Sequence, residues 1–272
     1  MTLPPWSARG LGVLVAGLAL LSMWSIDLLD LSRVWPAASN LAEFAGSLIP
    51  PDLDVVPTLL DGMLETLRIA FVGTLLGLVI SLPLAFLGTR TLFSPVITTP
   101  TRLFVGAIRT VPSLLWGIVF VVAYGLGPAA GALGVALYTV GYLAKLYYES
   151  FEGVDPEVME AVRSTGASRP QLVRYVVLPE SANAIMSQLL FMFEYNIRAS
   201  AIMGFVGAGG IGFYMLGYLQ LLQYEKLMTA LLMTFTVVMA VDYLSARVRA
   251  ILPGMERPAK RAPLTAAITT LR

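Results

Sequence analysis

Residues 110–144 read TVPSLLWGIVFVVAYGLGPAAGALGVALYTVGYLA, thirty-five positions between Arg109 and Lys145 without one charged side chain. About 20 mostly apolar residues suffice to cross a bilayer, so the run is long enough for nearly two crossings. Gly125-Leu126-Gly127-Pro128 interrupts it with turn-forming residues, which predicts two helices, about 104–125 and 130–149, joined by a tight turn. Two further intervals lack charge: 69–89, between Arg68 and Arg90, and 199–224, between Arg198 and Glu225. Only 13% of the 272 residues are charged and 57% are hydrophobic, whereas a soluble domain carries about 25% charged residues. An ordinary soluble globule is excluded. The chain reads as an all-α, polytopic integral membrane protein.

Outward from that stretch, apolar runs at about 11–29, 63–87, 181–204 and 227–247 bring the expected spans to about six. The first run is long, Asp27 and Asp30 flank its far end, and Ala-x-Ala spacing is missing, so it reads as an uncleaved span rather than a signal peptide. Arg9, then Arg90 and Arg102, then Arg163, Arg169 and Arg174, then Arg247, Arg249, Arg257, Lys260 and Arg261 fall at alternate ends of the spans. The positive-inside rule then places both termini in the cytoplasm. The opposite loop, about 32–62, sets Arg33 against Glu43, Asp52, Asp54 and Asp61, which suits the outer side. Within it Leu41, Phe44 and Leu48 share one side of a short helix over 37–49, stopped by Pro50-Pro51. Residues 1–62 are thus a first span and an acidic loop. Residues 63–250 form a five-helix core with a cytoplasmic loop at 150–180, and 251–272 form a basic cytoplasmic tail.

The chain has no histidine and no cysteine, which removes an imidazole base, thiolate chemistry and the usual zinc, haem and iron–sulfur ligands. No metal site is expected. Net charge is +1, which gives no reason to expect nucleic acid as a partner. Gly-x-x-x-x-Gly-Lys-Ser/Thr is absent, so ATP-driven work needs a nucleotide site on another chain. Gly207-x-Gly209-x-x-Gly212 matches a dinucleotide fingerprint in letters only. It lies between apolar spans, not between a strand and a soluble helix. It suits close backbone packing or a broken helix near the outer mouth.

The most informative polar interval is Asp155-Pro156-Glu157-Val158-Met159-Glu160-Ala161-Val162-Arg163-Ser164-Thr165-Gly166-Ala167. Asp155 suits a helix N-cap and Pro156 its first position. Val158, Ala161, Val162 and Thr165 recur at helical spacing, and Gly166 falls where the helix can end. Arg169-Pro170 restarts the chain, and Leu172, Val176 and Val177 lead into Leu178-Pro179. The residues alone leave two readings: a helix that transmits force to a soluble partner, or an amphipathic connector between spans.

Charges inside spans are costly unless paired or facing water. Lys145 and Glu149 form an i,i+4 pair at one span's end. Glu194 and Arg198, with Asn196 between them, can pair within one helix.

Glu160-Ala161, with Gly166 six residues after Glu160 and Leu178-Pro179 beyond, resembles the EAA loop of permease subunits in binding-protein-dependent ABC importers. From about residue 60 to 250 the chain further resembles permeases of phosphonate importers, including relatives for phosphite or hypophosphite. The matching stretches are Glu65-Thr66-Leu67, Phe71-Val72-Gly73-Thr74, Pro83-Leu84-Ala85-Phe86-Leu87, Arg109-Thr110-Val111-Pro112-Ser113-Leu114-Leu115-Trp116, Gly125-Leu126-Gly127-Pro128, Phe193-Glu194-Tyr195-Asn196-Ile197-Arg198 and Val206-Gly207-Ala208-Gly209-Gly210-Ile211-Gly212. Val162 departs from the loop's usual second alanine. The resemblance implies a type I ABC importer permease fold in a bacterial inner membrane. The implied partners are a second permease subunit of the same kind, two ATPase subunits carrying ATP and Mg, and an extracytoplasmic binding protein. This chain itself carries no cofactor and no catalytic residue. Asp155, Glu160, Ala161, Gly166, Leu178 and Pro179 would couple to the ATPase. Arg109, Glu194, Asn196, Arg198, Gly207, Gly209 and Gly210 would line the pathway or gate for a small phosphorus oxyanion. Competing readings are an importer of another small solute and a stand-alone secondary transporter, which would want an internal repeat or mid-membrane ion-coupling residues.

Overall fold

The computed structural model describes residues 5–251, all helix, turn and loop; the basic tail with Arg257, Lys260 and Arg261 lies outside them. Two units form. The first, Met1–Pro51, holds α1 (Pro5–Ser25) and α2 (Val34–Ser47). Between them Arg33 pairs with Asp27 at 3.3 Å and Asp30 at 3.0 Å, all three well exposed. The helix expected over 37–49 is α2, begun earlier and closed just before Pro50-Pro51.

The second unit starts at Asp52. It contains α3 (Val56–Gly88), α4 (Pro95–Thr110), α5 (Ser113–Tyr124), α6 (Pro128–Glu152), α7 (Pro156–Arg163), α8 (Arg169–Leu172), α9 (Leu178–Met203), α10 (Ile211–Gln220) and α11 (Tyr224–Ile251). A π-helical turn, Val173–Val177, joins α8 to α9. The spine is α3 against α6, with α9 packed on both. Small residues let the backbones approach: Gly73 faces Val135 and Gly77 faces Thr139, the packing expected where lipid gives helices no hydrophobic drive to associate. Tyr147, Phe151, Leu143, Leu172 and Val177 bury the largest cluster at the Glu152 end of α6.

Among the described residues four segments are long and apolar enough to cross a membrane: Leu53–Gly88, Pro128–Glu152, Arg169–Val206 and Tyr224–Ile251. The single helix expected over 104–125 is two. α4 and α5 meet at 87°, and as one broken span they make a fifth. Pro112 causes the break. It has no N–H, its ring excludes the helical carbonyl four residues back, and it pushes Val111 to extended backbone, φ −88°, ψ 122°. Ile108 would have received the missing N–H; Trp116 Nε1 donates to its carbonyl instead, at 3.2 Å. The apolar part of α1, Gly10–Ser25, is shorter than the other spans. A second difference is α10, ten residues of the stretch expected to be only a glycine-rich connection.

Candidate functional site

The segment 155–180 folds as its caps dictate. Asp155 accepts the Glu157 N–H at 2.9 Å and Pro156 opens α7. Arg163, in the last turn, complements the helix dipole and donates to Thr91 O at 3.1 Å. Gly166 sits at φ +83° with its N–H on Arg163 O at 3.0 Å. Only glycine takes that backbone cheaply. Ser168 N–H donates to Gln171 Oε1 at 2.7 Å and starts α8. Met159 anchors α7 in the core, with Val162 packed behind it. Of the four residues that recur at helical spacing, Val158, Ala161 and Thr165 therefore face out, beside Glu157 and Glu160. The spacing alone favoured Val158 and missed Met159, a flexible side chain that fills the gap beside Leu92 and Leu172. Leu178 and Pro179 continue into α9 with Leu178 half-buried and Pro179 exposed.

The charges within the spans pair differently from the expected Glu194–Arg198 contact. Arg249 Nη1 lies 2.8 Å from Glu194 Oε1, though outside hydrogen-bond alignment. Arg198 Nη2 donates to Asp242 Oδ1 at 3.1 Å and Oδ2 at 3.2 Å. Asp242 and Arg249 lie seven residues apart, on one side of α11, and outcompete the local i,i+4 geometry. The two pairs differ in exposure: Glu194 is buried, whereas the Arg198 side chain is 51% exposed.

Asn196 is fully buried. Its Nδ2 donates to Thr74 Oγ1 and Thr139 Oγ1, both at 2.8 Å, and so ties α9 to α3 and α6. Each interhelical bond of this kind is worth about 0.6 kcal/mol and at most about 1.7 in a membrane. Asn196→Ala is therefore expected to cost about 1–3 kcal/mol, read as a lower unfolding temperature in detergent. Unchanged thermal stability would remove the clamp.

Arg109 ends α4 just before the break, where the helix C-terminus favours a cation. Its guanidinium carbon stands 4.8 Å from the Tyr142 ring centre, and its Nε is buried without a hydrogen-bond partner. Gly141 makes the room, since a Cβ there would meet Arg109 Cγ at 2.8 Å. The Tyr142 ring lies 4.6 Å from the Tyr138 ring at a tilt of 35°, and Tyr138 OH donates to Tyr195 OH at 3.1 Å.

Gly207, Gly209 and Gly210 all have positive φ, near +80°. The segment is held closely: Ile211 N–H donates to Thr66 Oγ1 at 2.8 Å and Gly127 N–H to Gly207 O at 2.9 Å. A Cβ on Gly210 would lie 2.6 Å from Thr66 Oγ1. Beside it a groove of about 580 Å³ opens between α3 and the start of α6, with Asp61, Glu65 and Arg68 on its wall. Hydropathy gave no hint of Thr66 as a partner of the glycines.

Several apolar spans, one of them broken at a proline, joined to a polar outlying helix that is anchored by Met159 and Val162 and otherwise exposed, make up a transport permease subunit. The chain belongs to the family of binding-protein-dependent transport system inner membrane components, whose pattern matches residues 73–253. It is 36% identical over 245 residues to the phosphite transport system permease protein PtxC of Stutzerimonas stutzeri, covering 90% of this chain and 89% of that one. It is 31% identical over 251 residues to the putative phosphite transport system permease protein HtxC of the same organism, covering 89% and 87%. In fold it is similar to the MetNI methionine ABC transporter in an inward-facing conformation, with a TM-score of 0.66, 24% identity, and 73% of this chain and 98% of that chain covered. It is thus a multi-pass, inner-membrane permease subunit of an ABC importer.

Proposed function

We propose that this chain forms the membrane pathway for a small phosphorus oxyanion such as phosphite, hypophosphite or a phosphonate. The observation that carries the reading is the nearly full-length likeness to two phosphite permeases. The assembly is a pair of these chains, two ATPase subunits that bind ATP and Mg, and an extracytoplasmic binding protein. Both termini and α7 face the cytoplasm, and α1 is a sixth span. α7 seats on the ATPase: Asp155 and Gly166 fix its ends, Glu160 and Ala161 offer its exposed face, and Leu178-Pro179 lead its motion into α9. Arg198 presents a half-exposed guanidinium, and Arg109 a cation at the break, to the passing anion. Gly207, Gly209 and Gly210 shape the outer mouth. Glu194 and Asn196 hold this lining in place from behind.

ATP-dependent uptake by proteoliposomes holding this chain, its ATPase and its binding protein tests the reading. Phosphite, hypophosphite, methylphosphonate and phosphate are compared. Accumulation of a reduced phosphorus anion, lost without ATP, is the expected result. An assembled complex with active ATPase that accumulates none of them overturns the substrate assignment.

A further inference from the structure

The inner half of the broken helix is fastened to the helix that carries α7. Arg102 on α4 stands 4.2 Å over the Tyr148 ring, donates from Nε to Gly88 O at 2.7 Å, and places Nη2 at 2.5 Å from Glu152 Oε1. The same carboxylate oxygen accepts the Arg90 N–H at 2.7 Å. The two side chains are 18% and 25% exposed, so salt screens them less than a surface pair. Glu152 is the last residue of α6, and only Gly153-Val154-Asp155 separates it from α7. That short link is itself pinned: Gly153 N–H donates to Glu149 O at 3.1 Å, and Val154 is buried. From the far side, Arg163 holds Thr91 O and the Arg169 guanidinium lies 5.4 Å from the Phe93 ring centre. Residues 88–93 are thus gripped by the end of α6 and by α7–α8 together. From Arg102, which lies beyond the internal Pro100, α4 continues without a further proline to Arg109, where the break at Pro112 begins.

We propose that Arg102 and Glu152 are positioning residues that carry a displacement of α7 to α4, and so to the break at Val111-Pro112. The inference rests on α7 being the element that the ATPase moves. A rigid body joined to the rest by one compliant point turns a small input into a hinge motion. The compliant point is on the page. At Pro112 the helical ladder is interrupted, and the 3.2 Å Trp116–Ile108 bond spans the gap. Below the gap, Arg102–Glu152 ties α4 to the end of α6, and Arg163 ties α7 to Thr91 just before α4. Above it α5 packs on the other half of α6 through Gly117 and Gly134.

A pair that only holds the fold would lower stability and leave coupling alone, so the test reads both. In the complete complex, uptake per ATP hydrolysed is compared for wild type, Arg102→Gln, Glu152→Gln and the Arg102→Glu/Glu152→Arg exchange, beside the unfolding temperature of each. Arg102→Gln is expected to keep ATPase binding and basal hydrolysis and to lose about fivefold in uptake per ATP. Glu152→Gln keeps an oxygen for the Arg90 N–H and is expected to lose less. The exchange is expected to recover part of the loss. Wild-type uptake per ATP in every variant that assembles, with only the unfolding temperature lowered, overturns the proposal. Where the charge variants fail to assemble, Arg102→Met/Glu152→Leu replaces them; it removes the pair without leaving either charge alone, and full coupling there also overturns the proposal. A wild-type complex that hydrolyses ATP without uptake marks a failure of the importer reading, a distinct result.

Discussion

The Gly166→Pro variant is expected to lose ATP-coupled uptake by roughly 100-fold while its spans still assemble. Proline holds φ near −65° and cannot take the +83° of this position. It also removes the N–H that meets Arg163 O. A misfit of this kind costs about 3 kcal/mol or more, and it falls on the connection that sets α7 against α8. The Cβ itself meets nothing within 4 Å, so Gly166→Ala isolates the conformational cost, about 1–2 kcal/mol for a left-handed residue. Uptake should therefore fall in the order wild type, alanine, proline, with ATPase copurification weakened most in the proline variant. Pro156 and Pro170 occupy first turns, where a missing N–H costs nothing. Normal uptake in Gly166→Pro would mean that α7 and α8 need no fixed relation, and the coupling role of the segment would fall with it.

What the sequence made legible was local. Asp155-Pro156, Gly166 and Arg169-Pro170 specify a helix, a left-handed stop and a restart, and each is where those residues place it. The acidic segment's short helix and most span cores were equally readable, because charge-free length is itself the signal. The break at Pro112 was readable too, but the apolar residues on both sides outweighed it in a reading led by hydropathy. Pairings were less accessible. Glu194 and Arg198 look like a local pair, whereas the partners they take, Arg249 and Asp242, come from a different helix. The Asn196 clamp needs Thr74 and Thr139, 122 and 57 residues away. No spacing rule connects such residues. Arg102 was read only as a charge near a span end and Glu152 was not singled out, because their meeting depends on how α4 lies against α6.

The Arg198–Asp242 pair separates a structural charge from a working one. Arg198 lies about 30 Å along α9 from Leu178 at 1.5 Å per residue, about one bilayer core's thickness, and half its side chain is open. At that end of a span an arginine can reach water. Only Nη2 meets Asp242, which leaves the rest of the guanidinium fork for an anion. Arg198→Ala strands the Asp242 carboxylate and, with both side chains a third to a half exposed, is expected to cost about 1 kcal/mol of stability, together with nearly all uptake. That single variant is ambiguous. Arg198→Met/Asp242→Leu removes both charges, and such exchanges are often neutral for stability. It is expected to unfold within a few degrees of wild type and still to transport at least roughly tenfold more slowly, since a tenfold rate change needs only about 1.4 kcal/mol of lost anion stabilisation. Glu194→Leu/Arg249→Met provides the contrast. That pair is more buried, so its exchange for apolar side chains is expected to be neutral or stabilising, with uptake per assembled complex retained. If Arg198→Met/Asp242→Leu takes up the anion as fast as wild type, the pair is a fastening between α9 and α11, and the positive charge that the anion meets must be sought at Arg109 or in the groove beside Arg68.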